Sequence, residues 1–134
     1  LDHLRHPEAI DPPEPSDITR YDRGGLDGIP LGFTDAMAWH DSVLYSAAAE
    51  ASPDSIRDGP VSGSAIGMID ANGSTRWAPI TGESGELVRV KAEGLLADPT
   101  SESRIFVALD ADDPAAPSEL CTVELEGPWG VVNR

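Results

Sequence analysis

The sequence predicts an all-β fold, a β-propeller of which this chain supplies about two four-stranded blades. Three observations carry that expectation: a repeated strand–turn–strand segment, acidic residues in register at both ends of the repeat, and glycine, proline and asparagine turn signals between the strands. Repeats a few tens of residues long, each holding four short strands, are how propeller blades look in sequence.

The repeat is clearest when Phe33–Glu50 (FTDAMAWHDSVLYSAAAE) is set against Lys91–Asp112 (KAEGLLADPTSESRIFVALDAD). Asp35 aligns with Glu93 at a spacing of 58 residues and Glu50 with Asp112 at 62, the difference of four being the longer turn of the second copy. Downstream, Gly63–Asp70 parallels Pro117–Glu124, and each runs into a glycine turn, at Gly73 and Gly127. Chance likeness between strands of any all-β chain is the competing explanation. It does not account for acids registered on both sides.

In chain order, residues 1–16 carry Pro12, Pro13 and Pro15 and read as a tail, because proline removes backbone donors and extends the residue before it. His3 and His6 in this tail are weakly spaced for a metal and read as solvated. Residues 17–32 begin with the alternating DITRYD, which fits the outer strand of a preceding blade. Turn signals follow at Gly24-Gly25 and Asp27-Gly28, and the chain re-enters the sheet at Ile29–Phe33.

The first full blade is expected over 33–80. Val43, Tyr45 and Ala47 alternate with Leu44, Ser46 and Ala48, the period-two pattern of a strand. The run Ala47-Ala48-Ala49 fits a helix equally well, and the repeat decides for strand. Ala51–Ser62 is polar and proline-rich, a long loop of the kind that often carries function. Asn72-Gly73 marks a hairpin into a fourth strand, Ser74–Ile80, that contains Trp77. A second blade spans 88–134, with Trp129–Arg134 as its expected last strand.

Composition narrows the partners. Nine Lys and Arg stand against 24 Asp and Glu, a formal charge of −15. Such a surface repels nucleic acid and anionic membrane, so neither is expected as a partner, and cations are the natural ligands. Plain solubility or adaptation to salt explains the bulk of the charge equally well. The lone Cys121 allows no intrachain disulfide, leaves the compartment open, and reads as a small core residue. No apolar run reaches transmembrane length. Two blades leave open sheet edges, whereas a ring closes with about four to eight. The remaining blades are therefore expected from the same gene product, the favoured source, or from further copies of the chain.

In a propeller the loops entering first strands and leaving second strands open on one face, so Asp35, Glu93, Glu50 and Asp112 should gather at the channel mouth. Converging carboxylates suit Ca²⁺, which takes six to eight oxygens at roughly 2.3–2.6 Å. Asp110 and Asp113 add acid nearby, although Asp113, before Pro114, reads as a turn cap. The DADDP segment lacks the glycine and distal glutamate of an EF-hand. Lys91, Arg57 and Arg89 are the cations that could face the mouth. Lys91, two residues before Glu93 on a strand, reads first as a salt bridge and second as an anion holder. No G-x-S-x-G elbow, phosphate-binding glycine loop or CxxC is present.

LDGIPLGFTDAMAW, DGPVSGSAIGMID, KAEGL and ALDADDPAAPSEL together resemble the C-terminal part of bacterial β-propeller proteins of unknown function, related to the phytase-like or "esterase-like" group. The likeness covers about Asp17 to Gly127. It implies a ring of six blades with acids at the channel mouth and, in some phytase-like members, calcium bridging phosphate to protein. By motif, the EGL glutamate falls on Glu93 and the FTDA aspartate on Asp35.

Two functions follow as expectations. In the first, the chain belongs to a Ca²⁺-dependent phosphoester or ester hydrolase. Asp35, Glu50, Glu93, Asp110 and Asp112 would surround the ion, Glu93 or Asp35 would act as base, and Lys91 or Arg57 would steady a small anionic substrate. In the second, the propeller is a non-catalytic scaffold that binds a ligand or protein.

Overall fold

The computed structural model describes residues 14–52 and 59–129. They form eight antiparallel strands without a helix. The first sheet runs in the order β1 (Gly25–Leu26), β2 (Ile29–Trp39), β3 (Ser42–Glu50), β4 (Val61–Ile69) and β5 (Thr75–Pro79). The second holds β6 (Lys91–Ala97), β7 (Arg104–Asp110) and β8 (Glu119–Glu124). Every described neighbour in a sheet is also a neighbour in sequence, so both are up-and-down meanders.

Local chemistry sets the turns. Asp27 and Gly28 both sit in the left-handed region, at φ 52° and 79°, as a two-residue hairpin between right-twisted strands requires. At the β4–β5 hairpin the Asp70 carboxylate accepts the amides of Asn72 and Ser74, both at 2.9 Å, while Gly73 takes φ 80°. The alanine run lies in β3, and Ala47, Ala48 and Ala49 are all buried. Central placement between β2 and β4 overrides alanine's helical preference.

Strand pairing corrects the register of the repeat. Each β2-type strand carries a bulge, with Thr34 as the extra residue between Phe33 and Asp35, and Glu93 between Ala92 and Gly94. Superposing the bulges equates Thr34 with Glu93, a spacing of 59, and sets Asp35 against Gly94. On the other strands the expected spacing stands: Tyr45 pairs with Gly67 as Val107 pairs with Cys121. The sequence alignment slipped by one because it matched the two acids, Asp35 and Glu93, whereas the strand pairing sets Glu93 against Thr34.

The sheets pack face to face. Trp39, Leu44, Ile66 and Met68 of the first meet Ala92, Ile105, Val107 and Leu109 of the second in one buried cluster. A second cluster, Leu31, Tyr45, Ala47, Ala49 and Ala65 with Leu26, lies on the other side of the first sheet. The repeat makes this stacking directional. Leu44 points toward the second sheet, while its equivalent Phe106 alternates with the buried Ile105 and Val107 and so points away from the first. The second sheet thus presents to the first the face that the first presents outward.

Elsewhere the elements differ from expectation. Residues 17–22 form no strand: Asp22 accepts the Gly24 amide at 3.0 Å, which turns the chain before any pairing begins. Ile29–Trp39 is one unbroken strand, so no boundary falls at Phe33. Trp129 is not in a strand, and the rest of the expected last strand, with His3, His6 and Arg57, lies outside the described residues.

Candidate functional site

The charged site lies where the end of β3 approaches the start of β6. The Lys91 ammonium is 3.4 Å from Glu50 Oε2 and 3.1 Å from Glu93 Oε1. Its side chain is 17% exposed and that of Glu50 16%, against 43% for Glu93, so the Lys91–Glu50 pair is largely shielded. Glu93 reaches the ammonium from two residues further along the same strand. Its bond holds the Lys91 pKa above the ordinary lysine value against the cost of burial, helped by the charges of Glu50, Glu93 and Asp112.

Glu50 is anchored from its own loop as well. Ser52 donates to Oε1 at 2.6 Å and the Gly59 amide at 2.9 Å. These two bonds, ahead of the charge of Lys91, hold its pKa below the usual glutamate value. A carboxylate tied by three donors thus joins Ser52, Gly59 and Lys91.

The other expected site residues are engaged separately. Asp35 turns toward the second sheet and accepts the Leu95 amide at 2.8 Å. Asp110 accepts the Asp112 amide at 3.0 Å, where Asp112 adopts φ 53°, and Asp113 accepts the Ala115 amide at 2.9 Å. These are aspartate-capped turns. Arg89 bonds the Asp27 carboxylate at 3.0 Å and the Ser62 carbonyl at 2.9 Å, on the β1–β2 side. Glu50, Lys91 and Glu93 therefore meet, with Asp112 close enough to act on the lysine, while Asp35 is spent on a backbone amide. Among the described residues no three His, Cys, Asp or Glu side chains gather as a metal site.

The residues that sequence reasoning missed are the small polar ones beside Asp35. Ser64 donates to the Val90 carbonyl at 2.7 Å and accepts the Ala92 amide at 3.0 Å. Thr34 donates to the Ala92 carbonyl and accepts from Ser46 at 2.8 Å. With Asp35 on Leu95, side chains of the first sheet satisfy three backbone groups along the free edge of β6 and a fourth on Val90 just before it. An exposed edge invites unwanted pairing, and here the neighbouring sheet seals it. The only signal in sequence was serine and threonine at inward positions of otherwise apolar strands. Asp98, in the longer turn of the second copy, is likewise structural: it holds Arg104 Nε at 2.7 Å and the Thr100 amide at 2.8 Å.

Two clefts flank the strands. One of about 420 Å³ opens on the outer face of the first sheet, lined by Tyr21, Phe33, Val43, Tyr45 and Ile69. Nearby, the Arg23 guanidinium lies 4.4 Å over the Phe33 ring, and Tyr45 Oη and Arg23 Nε are buried without a partner. The other, about 670 Å³, lies where β5 and β8 diverge, between Ile80, Leu125 and Trp129. Cys121 is half-buried beside the core, and burial pushes its thiol pKa up, as expected of a packing residue.

The chain belongs to a family of unknown function, DUF6910, which matches residues 1–114. That span contains β1 to β7 and all of Glu50, Lys91, Glu93 and Asp112. No curated protein and no solved structure matches the chain.

Proposed function

We propose that this DUF6910 chain supplies two consecutive blade-like units of a β-propeller and acts as a non-catalytic scaffold. The observation that carries this reading is the ammonium of Lys91 between Glu50 and Glu93, the place where a catalytic cation would otherwise sit. A divalent ion there would have to displace a paired, largely shielded lysine. Asp35 and Asp110, two further acids of the expected ion site, accept backbone amides. The same-direction stacking of two bulged meanders supports the propeller geometry, in which about four to eight such sheets surround a channel.

Thermal melts with and without calcium test the scaffold reading. A resident ion site would add about 2.7 kcal/mol at a hundredfold excess over its dissociation constant. We expect calcium to leave the melting temperature of the chain and of Glu93→Gln alike. A calcium-dependent rise that Glu93→Gln abolishes, accompanied by hydrolysis of a phosphoester or ester, would establish the hydrolase instead.

A further inference from the structure

The two sheets leave one face each uncovered, and the repeat says what each fits. On the second sheet, Leu96 and Leu120 are 63% and 74% exposed and flank Phe106 on its outward side. Their equivalents in the first sheet are Met37, Leu44 and Ile66, which all pack in the core between the sheets. On the first sheet, residues from Tyr21 to Leu26 cover part of the outer face, but Phe33 and Val43 remain 43% and 41% exposed, with Ala36 and Ala38 open beside them. The equivalents of Ala36, Ala38 and Val43 are Leu95, Ala97 and Ile105, which lie against Met37, Leu44 and their neighbours in that same core. Each open face therefore matches one half of a junction that already exists within the chain.

We propose that the outer face of the second sheet docks the outer face of the first sheet in another copy of this chain, continuing head to tail the stack that joins the two sheets. The inference rests on the propeller reading above. A heterologous contact of this kind builds a ring when its rotation closes. With two sheets per copy, a ring of about four to eight sheets takes about two to four copies. The charge of −15 per copy opposes assembly, so it strengthens as salt shortens the Debye length from about 10 Å at 0.1 M to about 3 Å at 1 M.

Sedimentation of the purified chain over a range of concentration and salt tests this. Discrete species of about two to four copies are expected, growing with protein and with salt. Leu120→Glu and Val43→Glu, both at exposed positions, should each give a 14.1 kDa monomer. Mixing the two variants should restore a one-to-one dimer, because one keeps an intact first sheet and the other an intact second. Leu96→Glu and Ala38→Glu repeat the experiment should either variant melt early. A wild-type chain that stays monomeric at high salt and concentration overturns the proposal and leaves these faces to units other than a second copy of this chain. A dimer lost in Leu120→Glu but not in Val43→Glu overturns it too, as symmetric packing. The calcium melts are unaffected by either result, so this proposal can fail while the scaffold reading stands.

Discussion

The two sheets share one pattern of strands and bulges but solve different packing problems. The first carries a buried cluster on each side, and at several positions its strands have small residues where the second has larger ones: Gly67 stands where the second sheet has Cys121, Ala47 where it has Leu109. The glycine is required by its neighbour. A Cβ on Gly67 would lie 2.0 Å from Tyr45 Cζ, whereas the equivalent of Tyr45 is the slimmer Val107. The polar groups differ as well. Thr34, Asp35 and Ser64 clamp the edge of β6, but the matching positions Glu93 and Gly94 turn one side chain to Lys91 and leave none at the other. A repeat can thus keep its backbone while each copy adapts its faces to what lies beside it.

The largest expected effect comes from exchanging the copies' packing pairs. Gly67→Cys alone should cost about 3 kcal/mol or more, since overpacking beside an aromatic ring cannot relax. Tyr45→Val added to it should recover much of that loss, because the pair then reproduces Val107 and Cys121. Denaturant midpoints measure both, and a harmless Gly67→Cys would show that Tyr45 does not require a glycine opposite it.

Next comes the pair Ile66→Ala and Leu120→Ala. Ile66 is buried, so its truncation should cost about 3 kcal/mol. Leu120 is 74% exposed, and in dilute monomer its truncation should stay within about 0.5 kcal/mol. Equal losses at the two sites would show the second sheet's outer face to be covered even in the monomer.

The clamp should be worth somewhat less. Ser64→Ala strips partners from the Val90 carbonyl and the Ala92 amide, at an expected cost of about 2 kcal/mol. Tyr45→Phe removes a buried hydroxyl that has no partner and should stabilise by up to about 1 kcal/mol. Opposite signs for the two changes separate satisfied from unsatisfied burial.

The smallest effect is the pH dependence of the inter-sheet ion pair. Glu50 is depressed in the fold, so its contribution is present above its unfolded pKa of about 4.3 and fades as pH falls through the lower folded value. Lys91 is raised, so its contribution is present below its unfolded pKa of about 10.4 and fades above it. Stability should plateau between those limits. Asp98, depressed from 3.8 to about 2, extends the acid limb further down. Glu50→Gln should cost about 1 kcal/mol on the plateau and flatten the acid limb above the Asp98 range. Melts across pH check it, and an unchanged acid limb would remove Glu50 from the account.

Much of the strand content was legible because it rests on local signals. Val43–Ala49 alternates, Asn72-Gly73 turns, and the recurrence of that layout near Arg104–Asp110 marked a second unit. The salt bridge of Lys91 with Glu93 was legible too, from their spacing along a strand. The role of Asp35 was not. An aspartate at the entry of a strand looks the same whether it faces a channel or a backbone amide sixty residues away, and a bulge decided which.

By itself the sequence determined the all-β class, the repeated unit and the acidic surface, because period-two alternation, turn residues and charge act over a few residues or over the whole composition. Only the tertiary structure decided which acids meet a cation and which meet an amide, and that β6 is sealed by the side chains of another sheet. Those outcomes depend on the angle and register at which distant strands pack, and a single inserted residue is enough to change them.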